Sequence, residues 1–308
     1  MHRMLLLMFL CSLACPGAGH RVQSLRVRIL STMLAGDDGF GEWGFAALVE
    51  ADGHKILFDT GAHPDTVLRN LPLLKINLGD VPDVILSHNH LDHTAGLLTL
   101  RREFPQALGR AHTGKGILLT RVGAVNRMLQ VKSDYEATGG KFIQYDQPVE
   151  IYPGVWLTGP VPRKYPERNW SGRGQVRLPD GATVEDNIPE DQSLVIDTDE
   201  GLVLISGCGH AGIVNTLEYA RAKVRQAPVH LALGGFHLYA ANDSTLAWTA
   251  GKLKEFGLQN LVGAHCTGIE AVYRLRDLVG LKRDTAVVGA VGAGFDLDKG
   301  IEAGSIAK

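Results

Sequence analysis

Ile85-Leu-Ser-His-Asn-His-Leu-Asp-His-Thr-Ala-Gly-Leu97 decides the fold. Val84 to Ser87 reads as a buried strand, and three of the chain's 12 histidines and one aspartate follow it within positions 88–93. Side chains alternate between the faces of a strand. If the chain stays extended past Ser87, then His88, His90 and Asp92 point the same way, and His93 opens the next helix, expected from Thr94 to Phe104. Four ligand-type groups then converge at a strand end. Neutral imidazole together with carboxylate suits zinc, iron or manganese. The donors exceed what one tetrahedral ion needs, so the pattern predicts two divalent metal ions, zinc first, with manganese or iron as alternatives. The competing reading, a hydrogen-bonded histidine cluster without metal, has to meet the cost of burying unpaired ionisable groups.

The rest of the 308-residue chain is 45% apolar and 21% charged, enough for a large core and unlike a disordered chain. A net charge of -2 excludes the electrostatic footprint of a nucleic-acid binder, so the expected partner is a small-molecule substrate. Residues 1–24 form a separate segment. Met-His-Arg precedes an apolar run from Met4 to Ala14, and small residues follow, the pattern of a secretory signal peptide. The run is too short for a bilayer core of ~30 Å. Export to the periplasm or the extracellular space is therefore expected, without a stable membrane span. Ser12-Leu-Ala-Cys15 also fits a lipoprotein leader with a lipid anchor at Cys15. Of four cysteines, only Cys208 and Cys266 lie beyond this segment, and they can pair if the fold brings them close.

Further along, Leu25–Leu30 alternates as a strand, and Phe45–Glu50 and Lys55–Phe58 form a hairpin about Asp52-Gly53. Pro64–Leu71 is expected to be helical. Residues 114–187 are the least legible. Strands are expected again at Ser193–Ile196, Leu202–Ile205, Val229–Leu233 and Leu261–Val262, with helices at Val214–Val224 and Thr245–Phe256. Strand pairs followed by strand–loop–helix units predict sheets covered by helices, an α/β (α+β layered) class. No linker divides the chain, so residues 25–308 are read as one domain.

Ser87-His-Asn-His-Leu-Asp-His-Thr-Ala-Gly96 resembles the signature of the metallo-β-lactamase superfamily, and Phe58-Asp-Thr-Gly61 is similar to its first motif. The resemblance implies an αβ/βα four-layer sandwich with mixed sheets and metals at one edge. Asp191-Gln-Ser-Leu-Val-Ile196, Ser206-Gly-Cys-Gly-His210, Gly234-Gly-Phe-His-Leu238 and His265-Cys-Thr-Gly268 resemble a narrower subgroup, the dihydropterin–aminobenzene phosphate synthase-like metallo-hydrolases. The resemblance implies ligands at His88, His90, Asp92, His93 and His265. The position of the third ligand of the first metal reads Glu190-Asp191-Gln192, making Asp191 its positional candidate, with a strand-entry cap as the plain alternative. Where the superfamily has a bridging aspartate, this chain has Cys208, with His210 two residues on. His210 is placed first for that role and Cys208 second. Asp59 is read as a carboxylate orienting a ligand histidine, and His237 as a substrate contact or support. Arg163, with Lys164 and Arg168, can grip an anionic substrate, although a solvated charge run is the plainer reading.

The expected activity is metal-dependent hydrolysis of a small ester, lactone or phosphodiester by metal-bound hydroxide, with Asp92 and His210 at the chemistry. An iron-dependent redox enzyme and a non-catalytic ligand-binding protein are the alternatives. Fold alone names no substrate.

Overall fold

A computed structural model describes residues 19–36, 39–170 and 172–307. The apolar run at 4–14, Cys11 and the anchor site Cys15 lie outside the described residues. The residues that follow belong to the folded domain. Val22 is buried, and its N–H donates to Asp197 O at 2.8 Å. His20 and Arg21 meet Asp52 and Asp199. The domain therefore begins before the boundary expected at residue 25. Among the described residues no helix is long and apolar enough to cross a membrane.

Two large mixed sheets face each other. The first has eight strands, with Leu25–Ser31, Ala46–Ala51 and His54–Phe58 at its antiparallel centre. Asp83–Leu86, Arg110–Gly114 and Lys141–Tyr145 continue it in parallel. The second has seven. Gly201–Ser206, Val229–Gly234, Asn260–Gly263 and Ala286–Val288 run parallel, and Ser193–Thr198 joins them antiparallel. Alternation decides what each face meets. Val27, Ile29, Val49, Ile56 and Phe58 of the first sheet pack on Leu194, Ile196, Val203, Ile205 and Leu231 of the second. The opposite faces carry Leu48, Leu57 and Val84 under helices Thr66–Leu73 and Leu97–Glu103, and Leu202, Leu204 and Ala232 under helices Ile213–Lys223 and Asp243–Glu255. The result is a four-layer αβ/βα sandwich of mixed sheets.

Most expected strands and helices form within a residue or two of their predicted bounds. The decisive stretch behaves differently. The strand stops at Leu86, and Leu91–Thr94 is already a helical turn, separated from Leu97–Glu103 at Ala95-Gly96. Asp92 is thus carried by a helix rather than by an extended chain in phase with His88 and His90. Gly96 at this break lies against the Asp59–Gly61 loop. A Cβ there would lie 2.3 Å from Thr60 O, so only glycine lets the Asp59–Gly61 loop pass this close. The illegible middle folds as helix Arg127–Ala137 and a small sheet of Thr120–Arg121, Gln175–Arg177 and Thr183–Glu185.

At the end of the first sheet away from the ligand-type residues, Asp83 is buried at 1% exposure. It accepts from Arg110 Nη2 at 2.8 Å, contacts His112 Nε2 at 2.8 Å and accepts from the Tyr152 hydroxyl. Burial acts to raise its pKa, but Arg110, His112 and Tyr152 outweigh it and hold the carboxyl well below the usual range. Because the folded value lies below the unfolded one, this stabilisation is fully present above about pH 4. It is lost as pH falls through the folded value. Asp83→Asn is expected to destabilise the fold by about 3 kcal/mol, the low end for breaking a buried pair because half-exposed Arg110 can rehydrate. Urea unfolding at pH 7 measures the loss, which shrinks toward pH 2 in the wild-type comparison.

Candidate metal centre

Parallel strands release their side-chain-rich loops at their carboxyl ends, the edge where α/β sheets bind ligands. Asp59 follows strand His54–Phe58, and Ser87 follows Asp83–Leu86. Cys208 follows Gly201–Ser206, and His265 follows Asn260–Gly263. The two sheets therefore present their ligand-type residues to each other at one edge of the sandwich.

Asp59 organises the first sheet's share. It is fully buried and left-handed, at φ +57°. Its Oδ1 accepts from Ser87 N at 2.8 Å, and its Oδ2 accepts from Ser87 Oγ at 2.7 Å. His93 Nδ1 lies 2.7 Å from the same Oδ2. With Nδ1–H donating to this carboxylate, His93 turns the lone pair of Nε2 outward, the arrangement that prepares a histidine to bind a cation. His210 is fixed the same way, its Nδ1 donating to Asn169 O at 2.5 Å.

The outward nitrogens meet in pairs. His210 Nε2 is 3.2 Å from His88 Nε2, and His93 Nε2 is 3.3 Å from His265 Nε2. The His90 ring lies 4.5 Å from that of His88 and 4.9 Å from that of His210, centre to centre. Asp92 Oδ2 is 3.4 Å from His265 Nε2 and 3.9 Å from His93 Nε2. We sort these donors into two groups, His88/His90/His210 and Asp92/His93/His265, which touch where His88 meets Asp92 and His93. Cys208 stands between them. Its donor atom lies within 4.8 Å of the donors of His88 and His210, and equally of those of His93 and His265.

Burial sets the charge states. It drives the His88 and His210 imidazoles well below their ordinary pKa, helped by neighbouring histidines, and lowers His90 to about 4. These rings are neutral donors at pH 7. Burial acts to raise the Asp92 carboxyl, but His265 and His93 outweigh it and keep it ionised. The fit to cations follows from this donor set. Imidazole nitrogens of His88 and His210 face each other at hydrogen-bond distance, beside a thiol and a carboxylate in a buried site. Burial acts to lower the His265 imidazole, but Cys266 and Asp92 outweigh it and push its pKa up to about 9, leaving a proton there that a cation would displace. His265 Nδ1 also has no partner. Divalent cations complete such a set, and imidazole with thiolate suits zinc or iron better than magnesium or calcium.

Several expected roles are redistributed. Asp191 joins neither group. Its Oδ2 accepts from Ala211 N at 2.9 Å, so it braces the loop that carries His210. His210, expected between the metals, sits beside His88 and His90, and it is the Cys208 donor atom that lies near both sets. Arg163 is not presented to a substrate, because its Nη2 donates to Asn187 O and Ile188 O. Lys164 pairs with Glu218 and Arg168 with Glu185. His237 lines a cleft of about 930 Å³ that reaches His90 and His210, walled by Trp170, Tyr239 and Trp248. Some residues of the site went unrecognised in the sequence. Asn169 lies in the illegible loop, and Trp43, whose ring centre is 5.0 Å from that of His265, had no motif around it. Cys266 stood in plain view beside His265, and its Sγ is 3.3 Å from Cys208 Sγ. Both thiols are free, so the pairing that was open on sequence grounds is not made.

Comparison with known proteins gives the family. A Methanocaldococcus jannaschii protein named 7,8-dihydropterin-6-methyl-4-(beta-D-ribofuranosyl)-aminobenzene-5'-phosphate synthase is 30% identical over 268 residues, 82% of this chain and 90% of its own length. The crystal structure of Tm1679, a metal-dependent hydrolase of the beta-lactamase superfamily, superposes with a TM-score of 0.71 at 29% identity, covering 90% of this chain and 99% of that one. Zn(2+)-bound PqqB from Methylobacterium extorquens shares the fold at 17% identity and a TM-score of 0.54, over 88% of this chain and 100% of its own. Residues 44–224, more than half of the chain and the span that holds every donor of the two histidine groups except His265, match the Metallo-beta-lactamase superfamily. By that match and by its donor-lined sheet edge, the chain belongs to the metallo-beta-lactamase superfamily.

Proposed function

We propose that this chain is a dinuclear metal-dependent hydrolase of a small, ring-bearing ester, lactone or phosphodiester. The observation that carries the reading is the shared position of Cys208, whose donor atom is common to both histidine groups. One cation is assigned to His88, His90 and His210, and a second to Asp92, His93 and His265, with the Cys208 sulfur serving both. Bound there, two divalent cations would polarise an electrophilic oxygen and lower the pKa of water enough to make it a nucleophile near neutrality.

The chain's own residues supply the rest. Asp59 and Asn169 O keep His93 and His210 in the donor tautomer. Asp92 is the carboxylate of the two groups and is part-exposed, at 24% of its side chain, so it can also orient a water that reaches the site. Trp170, Tyr239 and Trp248 offer ring faces to a substrate in the cleft. Glu167 lines the same cleft, and burial lifts its pKa to about 7, but its carboxylate accepts from Val214 N and Asn215 N and so caps a helix. A synthase activity is the second reading. It is favoured by the name of the 30%-identical relative, and product analysis distinguishes bond formation from hydrolysis.

In a screen of esters, lactones and phosphodiesters, hydrolysis is expected to vanish after chelation and to return with zinc or manganese. Full turnover by metal-free protein would refute the assignment. Export, expected from residues 1–24, is a separate proposal, tested by whether the chain made in cells is recovered outside the cytoplasm without its apolar run. Asp59→Asn is expected to weaken zinc binding about 10–100-fold, the usual effect of removing the partner that orients a ligand histidine. Calorimetric titration of the metal-free protein measures this, and an unchanged affinity would remove Asp59 from the site.

A further inference from the structure

A third set of donors meets at Cys208, next to the two groups above, with the His237 ring centre 4.7 Å from that of His210. Cys266 Sγ lies 3.3 Å from Cys208 Sγ. The donor atoms of Cys208, His237 and Cys266 all lie within 4.8 Å of one another. They come from the loops after three neighbouring parallel strands, Gly201–Ser206, Val229–Gly234 and Asn260–Gly263, so sheet register fixes their spacing. His237 Nδ1 is buried and has no hydrogen-bond partner, a costly arrangement for a polar atom. His237 is also held at φ +50°, a left-handed conformation that costs a non-glycine residue about 1 kcal/mol or more. At Gly235 an added Cβ would fall 2.0 Å from Gly207 O and 2.9 Å from Cys266 Sγ, so glycine is what lets this loop close on the sulfurs. The two histidine groups use neither Cys266 nor His237, so they do not account for these features.

We propose that Cys208, His237 and Cys266 form a thiolate-rich site for one thiophilic cation of the zinc(II), cadmium(II) or copper(I) class. Two sulfurs and one imidazole select a soft ion and disfavour magnesium or calcium. His237 lines the cleft, so an ion held there is reachable from solvent. Because Cys208 also serves the histidine groups, the soft ion competes with them for this sulfur. The thiolate site and the dinuclear centre thus share one residue and stand or fall separately.

The test uses the full chain, stripped of metal by a chelator with a non-thiol reductant present, then titrated with cadmium(II) alone. Cadmium NMR and ultraviolet thiolate-to-cadmium charge-transfer absorption count the sulfurs. Wild type is expected to show a cadmium ion with two thiolates. Cys266→Ser is expected to lose about half of the charge-transfer intensity, since one of two thiolate ligands is gone. His237→Ala should keep both sulfurs and weaken cadmium binding at least about tenfold, the smallest loss expected even for a supporting partner. If Cys266→Ser fails to fold, judged by circular dichroism, His237→Ala decides alone. A Cys266→Ser protein with wild-type cadmium spectra, or an unchanged cadmium affinity in His237→Ala, would overturn the proposal. Cobalt(II) absorption of Cys266→Ser reads the histidine groups independently, so loss of the thiolate site is distinguishable from loss of the dinuclear centre.

Discussion

Two sheets meet here at an edge where imidazoles, carboxylates and thiols have been withdrawn from water together, and that desolvation is the constraint behind the local structure. A lone buried histidine can pair with a carbonyl. Five imidazoles around one sulfur cannot all do so. The chain responds by pinning the far side of selected rings. Asp59 holds His93, and Asn169 holds His210. Each pin turns a lone pair toward the common centre. Asp59 itself is pinned by Ser87 from two directions, so the loop carrying His88 to His93 is tied to the neighbouring strand before any cation is considered. Supporting charges lie one layer farther out. Glu190 accepts from Asn89 N at 3.2 Å and is paired in turn with Arg121 at 2.7 Å.

The same constraint explains why a thiol suits the shared position. Cys208 is compact enough to stand between two imidazole groups, and Gly207 before it has no room for a side chain, since a Cβ would lie 2.2 Å from Ser87 Oγ and 2.5 Å from Asp59 Oδ2. Burial and the adjacent Cys266 push the Cys208 thiol well above its ordinary pKa, so the sulfur becomes a strong donor only when a cation displaces its proton. A centre built around such a residue favours thiophilic metals and differs in that respect from one bridged by carboxylate.

Much of this could be read from residue order. Apolar alternation located the central strands, and the crowding of His88, His90, Asp92 and His93 after a buried strand pointed to the sheet edge where the candidate metal ligands gather. What failed was local phase. An extended chain through Asp92 was a natural extrapolation from Val84–Ser87, but the chain turns helical at Leu91, where Thr60 N donates to His93 O, a contact between distant residues that no window of sequence contains. The placement of Asp191 and His210 has a similar origin. Both lie at strand ends, and only the pairing of Ser193–Thr198 with Gly201–Ser206 shows which side chain reaches His88 and which stops at Ala211 N. Residues 114–187 stayed opaque because their strands are short and largely exposed. Thr183–Glu185 is exposed throughout, so hydrophobic period carries no information there.

The central claim concerns position, and anomalous X-ray diffraction from zinc-loaded crystals at the zinc absorption edge tests it most directly. The account predicts one peak among His88, His90 and His210, a second among Asp92, His93 and His265, and the Cys208 sulfur between them. Zinc-loaded crystals with no anomalous peak at this edge of the sandwich, or with a single peak remote from Cys208, would contradict it.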